Sequence, residues 1–210
     1  MNSGPRHKRR RPYRQTTRAE AAEATARRIA QAFDDCVRDR WFDEVTLDEV
    51  ARRAGVTVRT VVRRFGGKAG LVAGFFKYIA PQIRDERTAR PGDIDGAIDR
   101  VLALYERIGD SVIRNLAQEP RHEALKPLLD GGRRAHRTIT AETFAPLLER
   151  ISSKERRRTI DALVVATDVY TWKLLRRDMG RSLSETKAVM RDLIDGVLRN
   201  SRRPRTDTEG

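Results

Sequence analysis

The sequence predicts an all-α fold of about nine helices, and three observations carry that prediction. Apolar residues recur at helical spacing in every long segment after residue 17. Three capping-box patterns, Thr46 with Glu49, Ser152 with Glu155 and Ser182 with Glu185, each stand just before an apolar-periodic run. Nowhere does the alternating apolar and polar pattern of a half-buried strand appear, and there is no internal repeat. The chain divides into a basic arm at 1–17, a three-helix unit at 18–67, a longer helical unit at 68–200 and a tail at 201–210.

The first helix is expected from about Arg18 to Arg40, on the recurrence of Ala22, Ala26, Ile29, Phe33, Cys36 and Val37. Trp41 and Phe42 end it with apolar bulk that is expected to pack on the elements that follow. Thr46 then caps a second helix whose apolar face is Val50, Ala51 and Ala54. Gly55 ends that helix where a sharp turn needs φ > 0. Thr57 caps a third helix from Val58 to about Arg64, with Val58, Val61 and Phe65 on its inner side. A small residue at Ala51 lets the two helices approach, Gly55 makes the corner and β-branched Val61 fills the angle, which is what a helix-turn-helix requires. The outer face of the third helix carries Arg59, Thr60, Arg63 and Arg64. Residues 46–68 hold six Lys and Arg against Asp48 and Glu49, a net of +4, and a cationic helix projecting from a compact corner suits a DNA major groove.

The rest of the composition agrees. In 210 residues there are 44 Lys and Arg against 30 Asp and Glu, a net of +14 that implies a polyanionic partner. The arm adds six cations and no acid; with two prolines and no apolar period it is expected to be disordered alone and to follow phosphates or enter a minor groove through Arg9, Arg10 and Arg11. Cys36 is the single cysteine, so no intrachain disulfide forms, as expected of a protein of the reducing cytoplasm. No apolar run approaches the roughly 18 residues of a membrane span, so no membrane partner is expected.

Beyond the corner, Gly66-Gly67 stops the third helix and Lys68 opens a helix to about Arg90, kinked near Pro81. The glycines and lysine here do not make a phosphate-binding loop: they follow a helix, and Ala69 stands where a metal-binding hydroxyl belongs. Pro91-Gly92 punctuates the chain. Helices follow at about 93–118, 120–129 and 133–150, the last two separated by a break at Gly131-Gly132, then at 153–179 and from Ser182 onward.

From about Thr25 to Ile79 this arrangement resembles the TetR family of bacterial transcriptional regulators. The matching features are Ile29, Ala32 and Phe33, Thr46 with Val50-Ala51, the turn Ala54-Gly55-Val56-Thr57, and Phe65, Lys68 and Leu71, all at fixed offsets. The resemblance implies a homodimer on a palindromic operator in double-stranded DNA. It implies that residues 18–67 bind DNA and that residues 68–200 bind a small-molecule effector and dimerise. Thr46 and Lys68 would hold phosphates; Arg59, Thr60, Arg63 and Arg64 would face the groove, with Thr57 on the same surface. The last two helices would pair with their mates through Leu163, Val164, Thr167, Tyr170, Thr171, Leu174, Val189, Leu193 and Val197. Where the family usually carries a backbone-touching tyrosine near the end of the reading helix, this chain has Val62, followed by Arg63 and Arg64.

The effector candidates are Tyr105, Val112, Asn115, Leu116, Phe144, Asp168 and Trp172, which mix apolar walls with polar handles; for each, the reading as core or dimer seam carries more weight. An apolar or cationic effector is expected, and a ligand-independent regulator or an activator is the alternative. An enzyme is not expected. The three histidines, His7, His122 and His136, lie in no metal spacing, no nucleophile elbow appears, and no cofactor motif is present.

Overall fold

The structure is a computed structural model that describes residues 11–149 and 151–201, and among these every regular element is helical. Helices α1 (Arg11–Asp39), α2 (Leu47–Ala54) and α3 (Val58–Phe65) form the N-terminal unit. Helices α4 (Lys68–Tyr78), α5 (Ala80–Arg87), α6 (Ile94–Gln118), α7 (Lys126–Phe144), α8 (Ser153–Ala166), α9 (Val169–Lys173) and α10 (Leu183–Ser201) follow. Short 3-10 turns at Glu119–Arg121, Glu123–Leu125 and Ala145–Leu148 join α6 to α8 by way of α7, and α9 runs on into a π-helical turn, Leu174–Asp178.

The corner is built as its sequence prescribes. Thr46, extended at φ −104°, ψ 156°, accepts a hydrogen bond from Glu49 N, and Gly55 closes α2 in the left-handed region at φ 64°. Thr57 caps α3 by accepting from Thr60 N. Val50, Ala51, Ala54 and Val61 all turn inward onto Ile29, Phe33 and Val45. The capping box of α2 is only half made, because the Glu49 carboxylate is taken by Arg52 and Arg53 instead of reaching back to Thr46. The box at Ser182 is complete: Glu185 N donates to Ser182 Oγ at 3.2 Å and Ser182 N to Glu185 Oε2 at 2.8 Å. Replacing Thr46 by alanine removes a cap and is expected to lower stability by about 1 kcal/mol, measured as a shift in urea midpoint at unchanged slope.

Five expectations are corrected. Helix α1 begins at Arg11 rather than near residue 18, so the arm is helical from there; Pro12 stands in the first turn, where a missing N–H costs nothing. Phe42 is buried, but Trp41 is 47% exposed. The expected kink near Pro81 is a full break: α4 ends at Tyr78 and α5 restarts with Pro81 in its first turn. Gly131-Gly132 does not interrupt α7. A Cβ at Gly131 would lie 2.3 Å from Phe76 Cε1, so the glycine is there to let α4 press against α7, not to turn the chain. The helix expected over 153–179 breaks at Thr167 and restarts with Asp168 as its cap, Oδ1 accepting from Tyr170 N at 2.9 Å.

Two cores result. One joins the α1–α3 corner to α4 and the Leu125–Leu129 segment. The other sets Ile98, Leu102 and Tyr105 of α6 against Phe144, Leu163, Trp172, Met190 and Ile194. The units are tied where Phe42 N donates to Gln118 Oε1 at 2.9 Å and Arg114 Nη2 donates to the carbonyl of Arg38, near the end of α1. No helix among the described residues is long and apolar enough to cross a membrane.

Candidate nucleic-acid interface and ligand cavity

Helix α3 presents Arg59, Arg63 and Arg64 outward, all exposed and with no ion pair among the described residues. Thr60 is half-buried, its hydroxyl 3.0 Å from that of Thr57, which is exposed, as is Thr46. Val62, where an aromatic was looked for, is 44% exposed among these arginines. The α2 arginines behave differently. Arg52 and Arg53 both hold Glu49, at 2.7 and 2.8 Å, and Arg53 also reaches Asp39 at 2.8 Å. Those two guanidinium hydrogen bonds, Arg52's first, hold the Glu49 carboxyl at about 2, well below the usual carboxylate range. The uncompensated charge of the corner therefore sits on α3. Arg9 and Arg10 lie outside the described residues, and Arg11 opens α1.

Lys68 is placed otherwise than expected. Its ammonium donates to Phe42 O at 2.9 Å and Asp43 O at 3.4 Å and lies 4.9 Å from the centre of the Phe42 ring. Burial lowers its pKa. The side chain thus pins the start of α4 to the α1–α2 loop, an internal contact at the residue expected to hold a phosphate.

Behind the corner lies a cavity of about 590 Å³, enclosed by α1, α4, α5, α6, α7 and the α8–α9 junction. That volume is ordinary for a small-molecule site. Tyr105, Val112, Asn115, Leu116 and Asp168 line it as anticipated. Phe144 and Trp172 do not, which corrects both assignments: they are buried in the second core, where the Trp172 Nε1–H donates to Glu106 Oε1 at 2.8 Å. The Tyr105 hydroxyl is already used, donating to Thr167 O at 3.4 Å, and burial pushes its pKa up to about 12.

The cavity's most distinctive polar pair was not foreseen. Arg87 of α5 is 9% exposed, and its Nη2 donates to Nδ1 of His136 on α7. The other ring nitrogen, Nε2, donates to Val164 O at 3.0 Å. These partners place the imidazole proton on Nε2 and leave the ring neutral. Burial, and then the Arg87 charge, push the His136 pKa down to about 4. The two residues are 49 positions apart on separate helices, and no local signal joins them.

Residues 38–74, which span the end of α1, the whole corner and most of α4, match the family model described as bacterial regulatory proteins, tetR family. That segment is similar to the DNA-binding region of the tetR family. An uncharacterised HTH-type transcriptional regulator of Mycobacterium tuberculosis, Rv2250c, is 32% identical over 93 residues, 44% of this chain. A second relative from Mycobacterium tuberculosis, the HTH-type transcriptional regulator AlkX, is 26% identical over 161 residues, covering 75% of this chain and 72% of its own length. The chain spans about half the length, 49%, of Rv2250c and of the further relative that shares its percentage. A crystal structure of a transcriptional regulator from Rhodococcus sp. Rha1 shares the fold, with TM-score 0.64 at 17% identity over 86% of this chain and 99% of that one. The family and these relatives point to a transcription regulator with a DNA-binding helix-turn-helix and not to an enzyme.

The C-terminal helices carry an apolar outer face that differs from the one anticipated. Tyr170 (58% exposed), Leu174 (53%), Val189 and Leu193 are exposed as expected. Thr171 and Val197 are half-buried, and Val164 turns into the cavity. Leu163 and Thr167 are buried within the chain, so their assignment to a seam between chains is corrected. Val165 (66% exposed) and Leu183 take their place. The break at Thr167–Asp168 is the reason: it resets the helical phase, so residues before it cannot be extrapolated from those after it.

Proposed function

We propose that the protein is a dimeric DNA-binding transcriptional regulator, a repressor released from its operator by a small molecule held in the cavity. The observation that carries this is the outward face of α3, where three arginines stand without counter-charge at the tip of a helix-turn-helix. In a dimer two such helices enter successive major grooves. The exposed strip of Val165, Tyr170, Leu174, Val189 and Leu193 supports the dimer, because an apolar patch of that kind marks a protein interface. Helix α4 supports the coupling. It carries Phe75 and Phe76 in the cavity wall, and its first residue, Lys68, is tied to the loop ahead of α2. A ligand that displaces those rings tilts α4 and carries the corner out of register with the groove. The coupling is reciprocal, so operator DNA weakens ligand binding by the same factor.

Operator selected from a random DNA pool provides the test. Arg59→Ala and Arg64→Ala are each expected to weaken binding by ~1–3 kcal/mol if the side chain reads a base edge, and to relax the preference at one base pair. Unchanged affinity of both variants in a gel shift would defeat the proposal.

A further inference from the structure

We propose that the cavity's ligand is an amphipathic organic anion, with a carboxylate-type head held by Arg87 and an apolar body against Phe75, Phe76, Leu104 and Ile139. This rests on the effector reading above and names its chemistry, in place of the apolar or cationic effector expected from sequence. Four arginines border the cavity. Arg38 lies 2.6 Å from Asp34, Arg84 is 3.1 Å from Glu142, and Arg133 is held by Glu119 and, at 3.0 Å, by Asp130. Among the described residues, only Arg87 of the four lacks a carboxylate within ion-pair distance. Its Nε is buried with no hydrogen-bond partner.

The one group bonded to Arg87, His136, is a neutral imidazole and supplies no counter-charge. Asp168 approaches that ring from the Nε2 edge, at 3.8 Å, and its Oδ1 caps Tyr170 N. Arg87 meets the ring at the Nδ1 edge. A guanidinium without a counter-ion in so enclosed a site is costly. A ligand carboxylate removes the cost and gains a charge-assisted hydrogen bond. Asn115 Oδ1 is a second buried polar atom without a partner in the same wall.

The probes are decanoate and its uncharged counterpart decanol, titrated calorimetrically into the full chain at pH 8 without DNA. Decanoate is expected to bind at least tenfold more tightly, and Arg87→Gln to abolish that preference while leaving decanol affinity unchanged. Thermal unfolding of Arg87→Gln reports whether it is folded, and the comparison on the unaltered chain needs no variant. Equal affinity for the two probes, or a preference that survives Arg87→Gln, overturns the anion site; decanol that releases operator in a parallel gel shift would leave the effector reading standing. A carboxylate preference without release of DNA supports the anion site and overturns the release reading instead. Failure of both probes to bind overturns both.

Discussion

Replacing Trp172 by alanine is expected to lower the free energy of unfolding by about 3–5 kcal/mol, the range for removing a large aromatic from a packed core. The side chain is fully buried. Its ring centre lies 6.0 Å from that of Tyr105, the Arg177 guanidinium sits 4.5 Å above it, and its edge rests on α6 over Gly109. Its N–H and Arg176 share one carboxylate, Glu106, each at 2.8 Å, so truncation also strips a partner from an ion pair. Trp172→Phe keeps most of the volume and loses only that hydrogen bond, for about 1 kcal/mol. Urea unfolding followed by circular dichroism measures both. A loss below about 1 kcal/mol for the alanine variant would mean that α9 is not held to α6 through this ring.

The second large effect is an opposed pair of pH dependences. The His136 pKa falls from 6.5 to about 4 on folding, through burial and then the Arg87 charge, offset in part by the Val164 carbonyl and Asp168; the third titratable neighbour, Tyr105, stays neutral. The stability that goes with a neutral ring is therefore complete above pH 6.5 and is lost as pH falls toward 4, by about 3 kcal/mol. Asp34 runs the other way. Burial raises its carboxyl from 3.8 to about 6 despite the Arg38 guanidinium, which pairs with its Oδ2 at 2.6 Å. Its penalty is complete above pH 6 and relieved by about 3.8, again by about 3 kcal/mol. Between pH 6 and 4 the two oppose each other in the intact protein. Removing one exposes the other: His136→Gln is expected to be relatively more stable at pH 4.5 than at pH 7.5, and Asp34→Asn relatively less. Acid losses from other carboxylates are common to both variants and drop out of the comparison. Denaturant titrations giving the two variants the same pH slope would refute the assignment.

The corner was readable from sequence because its determinants are local. Thr46, Gly55 and Thr57 act on their own next few residues, and Ala51 and Val61 are separated only by a short turn, so spacing alone fixes their meaning. What escaped depends on partners distant in sequence. Gly131 looks like a helix stop until Phe76 is seen lying against it. Lys68 looks like a phosphate ligand until the Phe42 and Asp43 carbonyls, 26 and 25 residues earlier, are found beneath it. Arg87 and His136 each look like ordinary polar positions on amphipathic helices. Asp168 did carry a local signal, since aspartate favours helix starts over helix interiors, but the apolar period running on through it outweighed that signal. Phe144 and Trp172 were placed in the cavity because composition cannot separate a wall that faces a ligand from one that faces another helix.

The seat of Phe76 on Gly131 has a consequence for how ligand size is set. A methyl group at position 131 would occupy the space now filled by the edge of that ring, and the ring, the flexible end of a side chain, is what yields. Since Phe76 is part of the lumen wall, its retreat narrows the room within. One carbon at this point of α7, where the glycine itself borders the cavity, would thus act as a stop screw, setting how long a guest the proposed site could admit.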